Sequence, residues 1–122
     1  MRVPPNDLTA EQALLGSIML KPAGLSEIFD LVNPGAFYSS KHRLIFEAMM
    51  RLEERNDPID LVSVTGVLQE QNQLEPAGGA TYLAELVNLV PSAGNIRHYA
   101  EQVRKKASLR SLIAVADQIA GW

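Results

Sequence analysis

The sequence predicts an all-α fold, a compact orthogonal bundle of about six helices. Apolar residues recur at helical spacing along most of the chain, and Pro or Gly interrupts the pattern between successive stripes. Strand signals are nearly absent: the β-branched run from Ile59 to Thr65 has neither strict alternation nor a hairpin turn.

Thr9 stands three residues before Gln12, a capping-box spacing that opens a helix from Ala10 to Leu20. Ala13, Leu14, Leu15 and Ile18 share its apolar face. Pro22 suits a first helical turn, where its missing N–H costs nothing, and Leu25, Ile28, Phe29 and Val32 repeat behind it up to Asn33-Pro34-Gly35. Ser39 or Ser40 caps a third helix with the stripe Ile45, Met49 and Leu52, widened by Phe46 and Met50 and ended by Pro58. Asp60 caps a short helix carrying Val64, Val67 and Leu68. Pro76-Ala77-Gly78-Gly79 is a turn, after which Tyr82, Leu83, Leu86, Val87 and Val90 lead to Pro91.

Asn95 caps the last and longest helix, Ile96 to Ala120, which at ~1.5 Å per residue reaches about 40 Å. Its early stripe is Ile96, Tyr99, Ala100, Val103 and Ala107. The apolar face is then expected to broaden through Leu109, Leu112, Ile113, Val115, Ala116 and Ile119 before Gly121-Trp122. A helix apolar nearly all round needs a second covering surface. Its C-terminal half is therefore expected to pack on another chain, or on a segment outside these residues. The organisation read from this pattern is a flexible N-terminal tail over residues 1–8, a globular helical body over 9–94 and the long helix over 95–122.

A chain of 122 residues fits one domain, and 47% hydrophobic with 20% charged residues excludes a disordered class. No apolar run of about 18 residues is present, and the first residues lack the apolar core of a signal peptide. The absence of cysteine rules out disulfides and thiolate zinc sites and suits a cytoplasmic protein. The net charge of −3 argues against autonomous nucleic-acid binding. That charge is uneven. Arg97, Arg104, Lys105, Lys106 and Arg110 face Glu101 alone, a local +4 that leaves −7 for the rest of the chain.

Catalytic chemistry is not legible. Lys41 follows Ser39-Ser40 without a glycine, and Gly78-Gly79 has no lysine after it, so no phosphate-binding loop is formed. His42 and His98 lack metal-ligand spacing; His42, between Lys41 and Arg43, reads as a surface or capping residue. Ser92 has no base at a recognisable spacing, and Glu53, Glu54, Asp57 and Asp60 read as solvated or capping carboxylates. No catalytic, cofactor or metal residue is expected. A helix-turn-helix DNA-binding domain over Ser63–Asn72 and Ala80–Leu89 is the alternative, weakened by a second helix with no basic residue and with Glu85.

The local strings also occur in a distinctive order. Val3-Pro4-Pro5 leads into Glu11-Gln12-Ala13-Leu14-Leu15-Gly16-Ser17, then Phe37-Tyr38, His42 and Ile45-Phe46. Pro58-Ile59-Asp60, Gly78-Gly79-Ala80-Thr81-Tyr82-Leu83 and Pro91-Ser92-Ala93 follow, with Asn95-Ile96, Tyr99-Ala100 and Val103-Arg104 last. This succession closely resembles the N-terminal domain of the DnaB-type bacterial replicative DNA helicase, over nearly the whole chain. Asn6-Asp7, where that family often has His-Ser, and Gly94, where alanine is usual, are departures.

The resemblance implies a non-catalytic collar module whose last helix is the first arm of a truncated helical hairpin, with the motor domain absent. It implies pairing with further copies inside a hexamer, docking of the primase C-terminal helicase-binding domain and, in some systems, of a loader. ATP, Mg and DNA contact would belong to the parent motor, and no membrane partner is implied. On this reading Tyr99, Val103, Leu109, Leu112, Ile113, Ala116, Ile119 and Trp122 carry self-association, and Lys105, Lys106 and Arg110 take part in partner docking.

Overall fold

The computed structural model describes residues 3–91 and 93–120, and Trp122 lies outside them. Among the described residues there are six α-helices and no strand: α1 (Leu8–Leu20), α2 (Leu25–Ile28), α3 (Ser40–Glu54), α4 (Leu61–Glu70), α5 (Gly79–Asn88) and α6 (Ile96–Ala120). Short 3-10 turns occupy Pro22–Gly24, Pro34–Ala36 and Ala93–Asn95.

The all-helical expectation holds, with local corrections. Asp7, not Thr9, caps α1: its carboxylate accepts the Ala10 N–H at 3.0 Å, satisfying one of the orphan donors of the first turn. Leu8 is thus already helical. The second helix is a 3-10 turn followed by a single α turn, so Leu25, Ile28 and Val32 are buried while Phe29 faces outward. Asp60 caps α4 as read, and Ser63 returns the bond to the Asp60 N–H. Helices α3 and α4 end alike, with Asn56 and Asn72 left-handed at φ 58° and 55°. The next N–H reaches back to Leu52 at 2.9 Å and to Leu68 at 2.8 Å, a Schellman-type closure of the last carbonyls.

Helix α1 is the centre of the body. Leu14, Leu15 and Ile18 are fully enclosed, and α3, α5 and α6 pack around it. Gly16 permits a close approach of α5: a Cβ there would run into the Leu86 carbonyl and a Val90 methyl. The turn before α5 needs glycine for a different reason, since Gly78 has φ 110° and Gly79 has φ 84°. Phe37 and Phe46 are completely buried with ring centroids 5.1 Å apart. Tyr38, next to Phe37 in the chain, is only half-buried.

Ile96, Ala100 and Val103 of α6 enter the same core, and Tyr99 and Ala107 pack against it. Beyond Arg110 the helix leaves the body, and every residue from 111 to 120 is exposed.

Candidate functional site

Two stripes run along α6. At 3.6 residues per turn, Ile96, Ala100, Val103 and Ala107 line one side, and that side faces the body. Leu109, Leu112, Ala116 and Ile119 line another, about 180° away around the axis. The apolar surface thus changes sides as it broadens. The distal residues repeat at alternating steps of three and four, the spacing of a seam that a second helix can cover. Leu112 is 67% exposed and Ile119 68%, with Leu109, Ile113 and Val115 also exposed, so the body leaves this seam open.

This geometry divides the residues expected to self-associate. Leu109, Leu112, Ile113, Ala116 and Ile119 stand together on the projecting half. Val103 is 1% exposed, enclosed by the body's own core on the opposite side of the helix, and is not available to a partner. Tyr99 is likewise turned toward the body. Trp122 is outside the described residues.

The basic residues divide too. Lys105 is exposed and, by its angle, continues the line of Leu109 and Leu112, while Lys106 is half-buried. Arg110 is committed within the chain. Its guanidinium donates to the Pro5 carbonyl at 2.9 Å and the Ala36 carbonyl at 2.6 Å, and lies 5.6 Å from the Tyr38 ring centroid. Arg97 donates to the Glu27 carbonyl at 3.0 Å and pairs with Asp30 at 3.7 Å and Glu101 at 3.6 Å. The cationic stretch is therefore partly neutralised by its own molecule, and Arg104 and Lys105 remain its outward-facing part.

The sequence reading missed a buried polar cluster. Glu11 and His42 are 1% and 2% exposed, with Glu11 Oε1 2.7 Å from His42 Nδ1. The same carboxylate accepts the Tyr38 N–H at 2.8 Å and the Ser39 N–H at 3.3 Å. His42 Nε2 is 2.6 Å from the Tyr82 hydroxyl, which also accepts from Gln12 Nε2 at 3.3 Å. If Nδ1 donates to Glu11, Nε2 accepts the Tyr82 O–H, and each polar atom has a partner. The cluster ties α1 to the start of α3 and to α5. Apolar neighbours one turn away carried the signal: Ile45 and Phe46 follow His42, and Leu14 and Leu15 follow Glu11, each at the third and fourth residue.

Among the described residues no group of three His, Asp or Glu side chains is placed to hold a metal ion. Helix α5 gives Leu83 and Leu86 to the core and carries no basic residue, so the helix-turn-helix alternative gains no support.

Comparisons with known proteins agree with this architecture. Residues 3–105 match the family model described as the DnaB-like helicase N terminal domain. The replicative DNA helicase DnaB of Geobacillus stearothermophilus is 45% identical over 119 residues, covering 98% of this chain and 26% of that protein. The replicative DNA helicase DnaC of Bacillus subtilis is 44% identical, with the same coverage of 98% and 26%. The chain thus spans about a quarter of the length of these curated relatives. Among solved structures, the N-terminal domain of DnaB helicase from Mycobacterium tuberculosis superposes with a TM-score of 0.94 at 35% identity, covering 98% of this chain and 83% of that one. A DnaB-like replicative helicase, described with its interactions with primase, superposes at 0.83 and 30% identity, covering 94% of this chain and 27% of that one.

Proposed function

Because this chain belongs to the DnaB-like helicase N-terminal domain family, we propose that it is the non-catalytic collar of a cytoplasmic replicative DNA helicase, joining subunits and receiving primase. The uncovered seam of Leu109, Leu112, Ala116 and Ile119, opposite the stripe that anchors α6 to the body, carries this reading. Full burial of a leucine or isoleucine side chain is worth about 1.5–3 kcal/mol, so covering the seam is a substantial driving force for helix pairing. In this reading α6 is one arm of a helical hairpin. The second arm and a neighbouring subunit complete the cover, and the motor that takes ATP and Mg lies beyond. Primase docking rests on the 30%-identical helicase described with its primase interactions. The outward-facing Arg104 and Lys105 supply cationic contacts for that partner or a loader.

Mass in solution tests the assembly role. A chain extended through the second arm is expected to be a dimer or larger. Leu112→Glu combined with Ile113→Glu should leave it folded, by circular dichroism, and monomeric. A double variant that keeps the parental mass would show that the seam is not the interface. For primase, the helicase-binding domain is titrated into the intact collar by calorimetry. Saturable heat supports docking, and a flat titration rejects it.

A further inference from the structure

Arg110 occupies the next position of the stripe that anchors α6. Ile96, Ala100, Val103, Ala107 and Arg110 follow at steps of four, three, four and three, so the guanidinium emerges on the body side of the helix. It is the last residue of α6 that is not exposed. Its two donors reach carbonyls on two separate segments: Pro5 ahead of α1, and Ala36 at the end of the Pro34–Ala36 turn. The guanidinium carbon lies over the ring of Tyr38, whose own N–H is held by the buried Glu11 carboxylate.

We infer that Arg110 is a positioning residue that fixes the direction in which residues 111–120 leave the body, and with it the angle at which the seam meets a second helix. The fully enclosed anchors, Ile96 to Val103, span about 10 Å of helix axis, and Ala107 adds only a methyl group. The exposed arm beyond Arg110 is about 15 Å long, so a small tilt at a short anchor grows toward its tip. Arg110 lengthens the anchored base to about 21 Å. A rigid fork bonded to two segments resists tilt in a way that a sliding apolar contact does not. On the Ala36 side the segment is secured by the buried Phe37 and by the Tyr38 N–H held on Glu11, and Pro5 stands two residues ahead of Asp7, the cap of α1.

The inference rests on the assembly reading only for its consequence, and a distance measurement separates the two. The chain has no cysteine, so Gln69→Cys on α4 and Gln118→Cys on α6, both exposed positions, accept two spin labels without other changes. Doubly labelled chain diluted into unlabelled chain is expected to give one narrow intramolecular distance distribution. Arg110→Ala should at least double its width, and Arg110→Lys, which keeps one charged donor without the fork, should fall between. Arg43→Ala, which removes the 2.7 Å bond to the Phe37 carbonyl, should lower stability while leaving the width unchanged. A distribution in Arg110→Ala as narrow as the parent's overturns the inference, whatever happens to assembly. A broadened distribution with undisturbed subunit association supports the role of Arg110 and counts against the seam as the interface.

Discussion

Glu11 and His42 lie 31 positions apart in sequence and meet at 2.7 Å in the body's core, each almost fully enclosed. Removing Glu11 leaves three donors unanswered: the imidazole Nδ1–H and the N–H groups of Tyr38 and Ser39. Leaving a buried donor without a partner costs about 1–3 kcal/mol, and three are affected here. That is a large part of the ~5–15 kcal/mol that holds an ordinary domain folded. Glu11→Ala is therefore expected to move the urea midpoint sharply downward. A midpoint within error of the parent's would show that water replaces the carboxylate at no cost.

Gly16 carries the second prediction. The Cβ of Gly16→Ala would meet a backbone carbonyl at Leu86 and a methyl of Val90, so α1 and α5 must move apart. Overpacking of this kind costs about 1–3 kcal/mol, opposing the gain that alanine normally brings inside a helix. Thermal unfolding should show a lowered midpoint. A raised one would mean that the two helices separate easily.

The stripes that made these helices legible were the ones facing a core. The apolar run from Leu14 to Ile18, the Ile45 and Phe46 pair, and the cap at Asp60 were all readable from spacing and residue type. The polar cluster was hidden because charged neighbours at Lys41 and Arg43 disguised His42, although residues adjacent in a helix point about 100° apart. Arg110 was hidden for a different reason. Its partners are backbone carbonyls at Pro5 and Ala36, more than 70 positions away, and a carbonyl leaves no mark in a sequence. The exposed seam was visible as excess apolar surface, but its change of side emerged only by following α6 around its axis.

The reciprocal pair at the start of α4 is open to solvent, and its removal should be mild. Asp60 accepts from the Ser63 N–H at 2.8 Å, and the Ser63 hydroxyl accepts from the Asp60 N–H at 2.9 Å. Asp60→Ala removes one cap and is expected to cost about 1 kcal/mol. Asp60→Asn keeps an acceptor and should recover most of it. Denaturant titration of the three chains decides the matter. Equal losses for both variants would assign the effect to charge, not to the capping bond.

Two isoleucines on one helix make the division of labour in α6 measurable. Ile96 is 5% exposed and packs into the core, while Ile119 is 68% exposed on the projecting arm. Ile96→Ala should destabilise the chain by about 2–5 kcal/mol, because it leaves a cavity among residues that cannot fully close it. Ile119→Ala changes a surface the isolated chain does not cover, and its effect on unfolding should stay within about 0.5 kcal/mol. In a chain long enough to pair through the seam the order should reverse for association, with Ile119→Ala raising the dimer dissociation constant and Ile96→Ala acting through folding alone. Comparable unfolding losses from the two substitutions in dilute solution would mean that the arm is already covered within a single chain.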